Sequence, residues 1–221
     1  NWDTQFVGES VLAFDGSGVV NILNDSDGAL SVRAESGTVN FSKANTKLNR
    51  LETTSNGNVQ INGLLTVNDF VASDGILEMD VALGSSAGES VALAADGNDG
   101  LLVKGTASGA VGVLLKDKNK LEKGKEERLT LIQVDGDASD FSAHLVDSNG
   151  MALPAITAGG YDYVLLAQDQ NVQTTKRDVA TGTDYVLSSV VGDEEIRNTT
   201  VTAGSYIGIA YAAQLFDVSL H

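Results

Sequence analysis

The sequence predicts an all-β protein and, within that class, a parallel β-helix. Three observations lead there. First, 24 glycines stand against one proline. Glycine beside Asp, Asn or Ser punctuates the chain in DGSG (15–18), SDG (26–28), SNGN (55–58), SDG (73–75), SAGE (86–89), DGNDG (96–100) and DSNG (147–150). Such clusters supply the positive-φ positions of tight turns. Second, the runs between them are short, β-branched or leucine-rich, and alternate with period two. Almost nothing before residue 205 reads as a helix. Third, aromatic residues make up only 5% of the chain. A sandwich or barrel usually anchors its core on several aromatics, whereas stacked coils need medium aliphatics, and Val, Leu and Ala dominate here. A degenerate period near 20 residues in the first half points the same way.

Element by element, TVNFSK (38–43) puts Val39 and Phe41 on one face of a strand. GILEMDVAL (75–83) puts Leu77, Met79, Val81 and Leu83 on one face and Glu78 with Asp80 on the other, solvated, side. The run KDKNKLEKGKEER (116–128) holds six basic and four acidic residues. Its interleaved signs cancel any binding field, so it is expected as a solvated loop between two strands. In FSAHLV (141–146), Phe141, Ala143 and Leu145 align and leave His144 pointing outward. Beyond the charged run the connections lengthen and aromatics gather, as in a second, differently built module. TAGGYDYVLLAQ (157–168) and TGTDYVLSS (181–189) hold three of the five tyrosines in two strand-like runs.

The formal charge is −16. It repels nucleic acid and anionic lipid, and it suits a soluble exposed protein. The absence of cysteine excludes disulfides, thiolate metal sites and cysteine nucleophiles. A chain that must stay unfolded through an oxidising compartment also does well to avoid cysteine. No apolar stretch reaches the roughly 18 residues of a membrane span, and NWDTQFVGES (1–10) is no signal peptide. The chain is therefore read as cytosolic, or as a piece of a longer exported precursor.

Six stretches decide between these. They are NGLLTVNDFVASDGILEMDVAL (62–83), DGLLVKGTASG (99–109), RLTLIQVDGDASDFSAHLV (128–146), AGGYDYVLLAQ (158–168), DYVLSS (184–189) and TAGSYIGIAYAAQLFDVSLH (202–221). In this order they resemble the C-terminal passenger segment of Gram-negative autotransporters, a pertactin-like β-helix ending in an autochaperone region. Residues 1–46 match only in style, as coils. Tyr185 stands where that family usually has tryptophan.

The resemblance implies a right-handed parallel β-helix over 1–110, a C-terminal cap over 111–200 of β-hairpin or sandwich-like build that acts as autochaperone, and a linker over 201–221 toward an outer-membrane barrel. In the linker Ile207, Tyr211, Leu215 and Val218 follow helical spacing. It implies export to the cell surface as part of a virulence factor or adhesin. Its partners would be the chain's own outer-membrane β-barrel, the outer-membrane assembly machinery, and a host-cell surface or further copies of itself.

The last coil of a β-helix offers unpaired backbone groups and an apolar cross-section, so it needs a lid. Tyrosine suits one, because its ring covers aliphatic surface while the hydroxyl reaches water or a backbone acceptor. Tyr161, Tyr163 and Leu165 share one face of a strand, Tyr185 and Leu187 one face of the next, and Gly159 with Gly160 permits the sharp entry. These seven residues are the candidate capping site.

Catalytic chemistry is not expected. Only His144 and His221 are present, and no nucleophile elbow, H-E-x-x-H pair or P-loop occurs. The turn at 96–100 lacks the calcium nonapeptide pattern, and no metal or cofactor is expected. Two rival functions remain. One is a β-helical carbohydrate enzyme working through Glu78 and Asp80, which no aromatic platform flanks. The other is an adhesin fragment that binds host or neighbouring cells through its own surface.

Overall fold

The computed structural model describes residues 10–23, 28–86, 90–170, 182–191 and 194–195. The helical spacing read in 207–218, together with His221, lies outside the described residues. The described chain is all-β. Its strands are β1 (Ser10–Phe14), β2 (Val19–Ile22), β3 (Leu30–Phe41), β4 (Thr46–Ile61), β5 (Leu64–Val81), β6 (Ser90–Val91), β7 (Gly100–Val103), β8 (Ala107–Asp117), β9 (Arg128–Val134), β10 (Asp140–Leu145), β11 (Ile156–Ala158), β12 (Tyr161–Asp169) and β13 (Thr183–Ser188). All thirteen join one sheet, while β14 (Val190–Val191) and β15 (Glu194–Glu195) pair separately.

From β1 to β10 every pairing is parallel. Leu12 lies opposite Val32, Val32 opposite Leu51, and Leu51 opposite Phe70. Successive passes of the chain are thus 20, 19 and 19 residues apart, which is the period the turn clusters announced. Like residues therefore stack on like. Val20, Val39, Val59, Leu77, Val113 and Leu145 form one column from the first pass to the last. All of these but Val20 are buried. Each fully buried Val or Leu contributes about 1.5–3 kcal/mol of transfer free energy. The column thereby rewards exact register, because a one-residue slip would turn every member to solvent.

Small residues make the corners. Gly37 and Gly57 are register partners where β3 and β4 bend. A methyl group on Gly37 would overlap the Gly16 carbonyl oxygen, and its φ of 71° is left-handed. On the outer face, asparagines continue the stacking. The Asn40 amide donates to Asn21 Oδ1 at 2.8 Å, and the Asn62 amide donates to Asn40 Oδ1 at 2.9 Å. These bonds satisfy polar side chains along the stacking direction without interrupting the backbone ladder.

Two longer connections interrupt the period. Leu65 pairs with Leu101 and Leu101 with Ile132, separations of 36 and 31 residues. The first excursion is fastened by Asp99, whose carboxylate accepts the Gly63 and Asp80 backbone N–H groups, each at 2.7 Å. Burial pushes the Asp99 pKa up, and the two backbone bonds only partly offset that. DGNDG is thus a turn exposed at Asp96 and Gly97 whose Asn98 and Asp99 form a buried fastening.

Inward positions read from the sequence are buried as expected: Val39, Phe41, Leu77, Met79, Val81, Leu83, Phe141 and Leu145, with His144 exposed. Glu78 is a correction. It was expected on a solvated face, yet it is 7% exposed. The neighbouring strand lays Leu114 beside it and Lys116 beside Asp80, and the Lys116 ammonium reaches back to Glu78 Oε1.

The boundary drawn near residue 110 falls inside β8. Parallel pairing runs on to Leu145, and the direction reverses only with β13, which adds antiparallel to the free edge of β9. β12 follows antiparallel on β13, and β11 on β12.

The C-terminal junction as candidate functional site

The order β9-β13-β12-β11 brings both tyrosine runs onto the last parallel strand. Ala158 faces Tyr161 across a two-residue turn made by Gly159 (φ 55°) and Gly160 (φ 88°). Two successive positive φ values are what a tight hairpin needs, because they match the right-handed twist of its strands. The turn is also sewn to the charged connection, since Gly159 N–H donates to the Leu121 carbonyl at 3.1 Å. A side chain at Gly159 would strike the Gly124 backbone nitrogen.

Tyr163 is fully buried, Tyr185 and Leu187 are buried, and Tyr161 and Leu165 are half-buried against the same core. Leu165 lies opposite Leu187. The two deepest rings meet different partners. Tyr185 stands edge-on to Phe141 with centroids 5.1 Å apart, and Phe141 stands edge-on to Phe70 at 5.6 Å. Edge-to-face pairs of this kind add about 0.5–1.5 kcal/mol each to area burial. An aromatic path thus runs from the stacked strands into the antiparallel tail. The Tyr185 hydroxyl ends it by donating to the Phe141 carbonyl at 2.7 Å.

Tyr163 completes a buried polar cluster. Its hydroxyl accepts the Lys125 N–H at 3.0 Å and donates toward Glu127 Oε1 at 2.9 Å, with the Lys125 carbonyl at 3.1 Å as a second acceptor. Glu127 is 0% exposed. The same Oε1 accepts the Gly84 N–H at 2.6 Å, and the Lys125 ammonium stands 4.0 Å from Oε2. Around the backbone of Glu127, Ser189 closes the ring: Glu127 N–H donates to Ser189 Oγ at 2.8 Å, and Ser189 N–H donates to the Glu127 carbonyl at 3.1 Å. The Glu127 carboxylate therefore holds the first excursion, the charged connection and β12, and its backbone holds the residue that follows β13. Burial pushes the Tyr163 phenol well above its ordinary value of 10.0, and the nearby Glu127 carboxylate pushes it further. Burial alone raises Tyr185. Both hydroxyls stay protonated as donors.

The charged run is, as read, a largely exposed connection between β8 and β9 over 118–126, but its ends depart from that reading. Lys116 and Asp117 end β8, Glu127 is interior, and Asp117 accepts the Leu83 and Leu121 N–H groups at 3.0 and 2.7 Å. A signal was present. Glu127, Leu129 and Leu131 continue one period-two face, and the density of neighbouring charges masked it.

The far corner of β9 carries a smaller tie. Asp135 accepts from the Lys104 ammonium and the Gln133 amide, each at 2.7 Å. Partial burial pushes its pKa up, but these bonds outweigh that and hold it below the ordinary 3.8. Because the folded value is the lower one, the stability it contributes is full above about 3.9 and disappears as pH falls through the folded value. Asp135→Asn should cost about 0.5 kcal/mol near neutrality, a discounted figure for a solvent-screened pair. Urea unfolding across an acid series should show the gap from wild type closing below pH ~4.

Among the described residues no group of three His, Cys, Asp or Glu side chains is placed to hold a metal ion, and no helix is long and apolar enough to cross a membrane. The arrangement can bury, fasten and close a sheet. No family model matches the chain, and no curated protein matches it.

Proposed function

We propose that the chain is a right-handed parallel β-helix of the autotransporter-passenger kind, and that its C-terminal junction folds early and serves as the lid and starting template for the rest. The observation that carries this reading is the asymmetry of the two ends. The free edge of β9 is covered by an antiparallel tail with fully buried tyrosine and leucine, whereas among the described residues β1 has β3 as its one partner. A stack closed at one end grows from it toward the other.

Growth of that kind supplies a driving force for export where no nucleotide is available. Stability per residue is roughly 0.05–0.15 kcal/mol, so a pass of about 20 residues contributes about 1–3 kcal/mol. Each docked pass would bias the chain outward by about one or two decades of equilibrium constant, since ~1.4 kcal/mol is tenfold. Parallel pairing is slow to nucleate, because loop closure precedes its contacts, and a pre-formed edge removes that step. The site of action is the outer face of a Gram-negative outer membrane, with the chain's own barrel and the assembly machinery as partners.

Native-state hydrogen exchange in rising urea tests the order of assembly. Amides of β9, β12 and β13 should keep protection after β1 to β3 have lost it, and the opposite order would sink the proposal. Surface display of a full precursor lacking residues 110–200 tests the role. Lost display supports the folding module, whereas retained display with lost cell adhesion supports an adhesin.

A further inference from the structure

Three asparagines in the chain precede glycine: Asn56–Gly57, Asn62–Gly63 and Asn149–Gly150. Such a pair can react with itself, because glycine lacks the Cβ that would keep its backbone nitrogen away from the preceding side-chain carbon. Sequence makes the three equivalent, and the fold does not. The Asn62 amide donates to Asn40 Oδ1 and to the Phe41 carbonyl, each at 2.9 Å. The Gly63 N–H donates to the buried Asp99 carboxylate at 2.7 Å. Losing that proton would set two negative charges against each other where little water reaches. Asn56 is exposed, but Gly57 is buried, and the place where a Cβ would stand lies 2.0 Å from the Ala34 carbonyl oxygen. That peptide cannot swing toward the Asn56 side chain without opening the stack. Asn149 and Gly150 sit instead in the exposed turn that the Val146–Ala152 bridge closes. Among the described residues the Asn149 amide reaches only Asp147 Oδ2, at 3.4 Å, and the Gly150 N–H donates to the Asp147 carbonyl at 3.0 Å. A Cβ at Gly150 would meet only Ile76 Cδ1 at 3.6 Å, an ordinary contact that leaves the peptide room to turn.

From this we infer that Asn149–Gly150 is a self-modifying site, which turns its own amide into an acid while the other two pairs persist. The Gly150 nitrogen gives up its proton and bonds to Asn149 Cγ. The Cγ–Nδ2 bond breaks, and ammonia leaves with that proton from a five-membered cyclic imide. Water then opens either carbonyl of the imide. The product is aspartate, or an isoaspartate whose main chain is one carbon longer. Either product adds one negative charge beside Asp147, whose carboxylate accepts the Asn149 and Met151 N–H groups at 2.8 Å each. The longer product also stretches the loop inside the bond from the Asp147 N–H to the Met151 carbonyl. It thereby loosens the fastening of the end of β10, where the Leu153 N–H donates to the Leu145 carbonyl.

The folded 221-residue chain, incubated in mildly alkaline buffer and mapped by mass spectrometry of its peptides, tests this. Acid at 149 should appear about tenfold or more faster than at 56 and 62, where hydrogen bonds and backbone packing must break first. In urea, where the fold no longer distinguishes them, the three rates should converge. Asn149→Gln would need a larger ring, so it should abolish the early release of ammonia and leave the circular-dichroism spectrum unchanged. Should that variant misfold, mapping of the parent chain still decides. Equal rates in the folded chain overturn the inference, and so does earlier conversion at 56 or 62. An Asn149 that persists in the folded chain yet reacts in urea also overturns it, by showing that its turn is held or covered. The site stands apart from the export role: none of these outcomes bears on display or on the order of assembly.

Discussion

Tyr163→Ala loosens the whole chain, not just its tail. The ring is fully buried, and truncating a buried aromatic to alanine costs about 3–5 kcal/mol. The hydroxyl adds to that, because its loss leaves Glu127 Oε1 with the Gly84 N–H as its one remaining donor among the bonds described above. A hydrogen bond to a buried charge contributes about 1.5–3 kcal/mol, so Tyr163→Phe, which keeps the ring, should cost about 2 kcal/mol. For a chain whose total stability is about 5–15 kcal/mol, the alanine variant removes a large share. Urea denaturation gives the magnitude and limited proteolysis gives the reach. If the tail is a lid, new cleavage sites appear in β3 and β4 as well as beyond β9. Tyr185→Ala should behave alike, since it breaks the aromatic path at Phe141. Cleavage confined to residues after 130 would mean that the tail is a separate domain resting on the stack.

Gly109→Val should be nearly as damaging, although it adds atoms. Gly109 has φ 85°, and any Cβ there would overlap the Ala72 carbonyl oxygen on the preceding pass. The left-handed conformation costs a β-branched residue about 1–2 kcal/mol, and forcing apart packed backbone costs about 1–3 kcal/mol more. Gly109 sits in β8 between β5 and β10, so neither neighbour can give way without opening its own pairing. The midpoint of thermal unfolding should fall by about 5–20 °C, judged from ~2–4 °C per kcal/mol for a chain of this size. Gly37→Val offers the comparison. It has the same kind of left-handed backbone and faces Gly16 on the first pass, beyond which no further pass lies among the described residues. A smaller loss there would show that the penalty depends on being enclosed from both sides.

Much of this was readable beforehand, and the reasons differ by element. The alternation of Leu77, Met79 and Val81 survives because one face of each strand meets only other passes of the same stack. The near-20 period survives because columns of like aliphatics require equal path lengths. Glu78 misled because solvation was inferred from one strand, whereas a lysine on its neighbour decides it. Glu127 misled for a related reason: a carboxylate among lysines looks solvated unless the fold supplies donors from Gly84 and Tyr163, and those come from 43 and 36 residues away. The tyrosine runs were found by their composition and by the glycine pair before them. That they reach the stack through β13 was not legible, because strand order in a sheet leaves no local mark in the chain.

That order has a bearing on truncated products. β11 and β12 precede β13 in the chain, but β13 is the strand that joins them to β9. A ribosome that stops anywhere before residue 183 leaves behind two finished strands moored to the stack by the Gly159 turn and the Tyr163 hydroxyl alone, with no ladder to join. Such a product keeps side-chain anchors but lacks the keystone strand that turns them into continuous sheet.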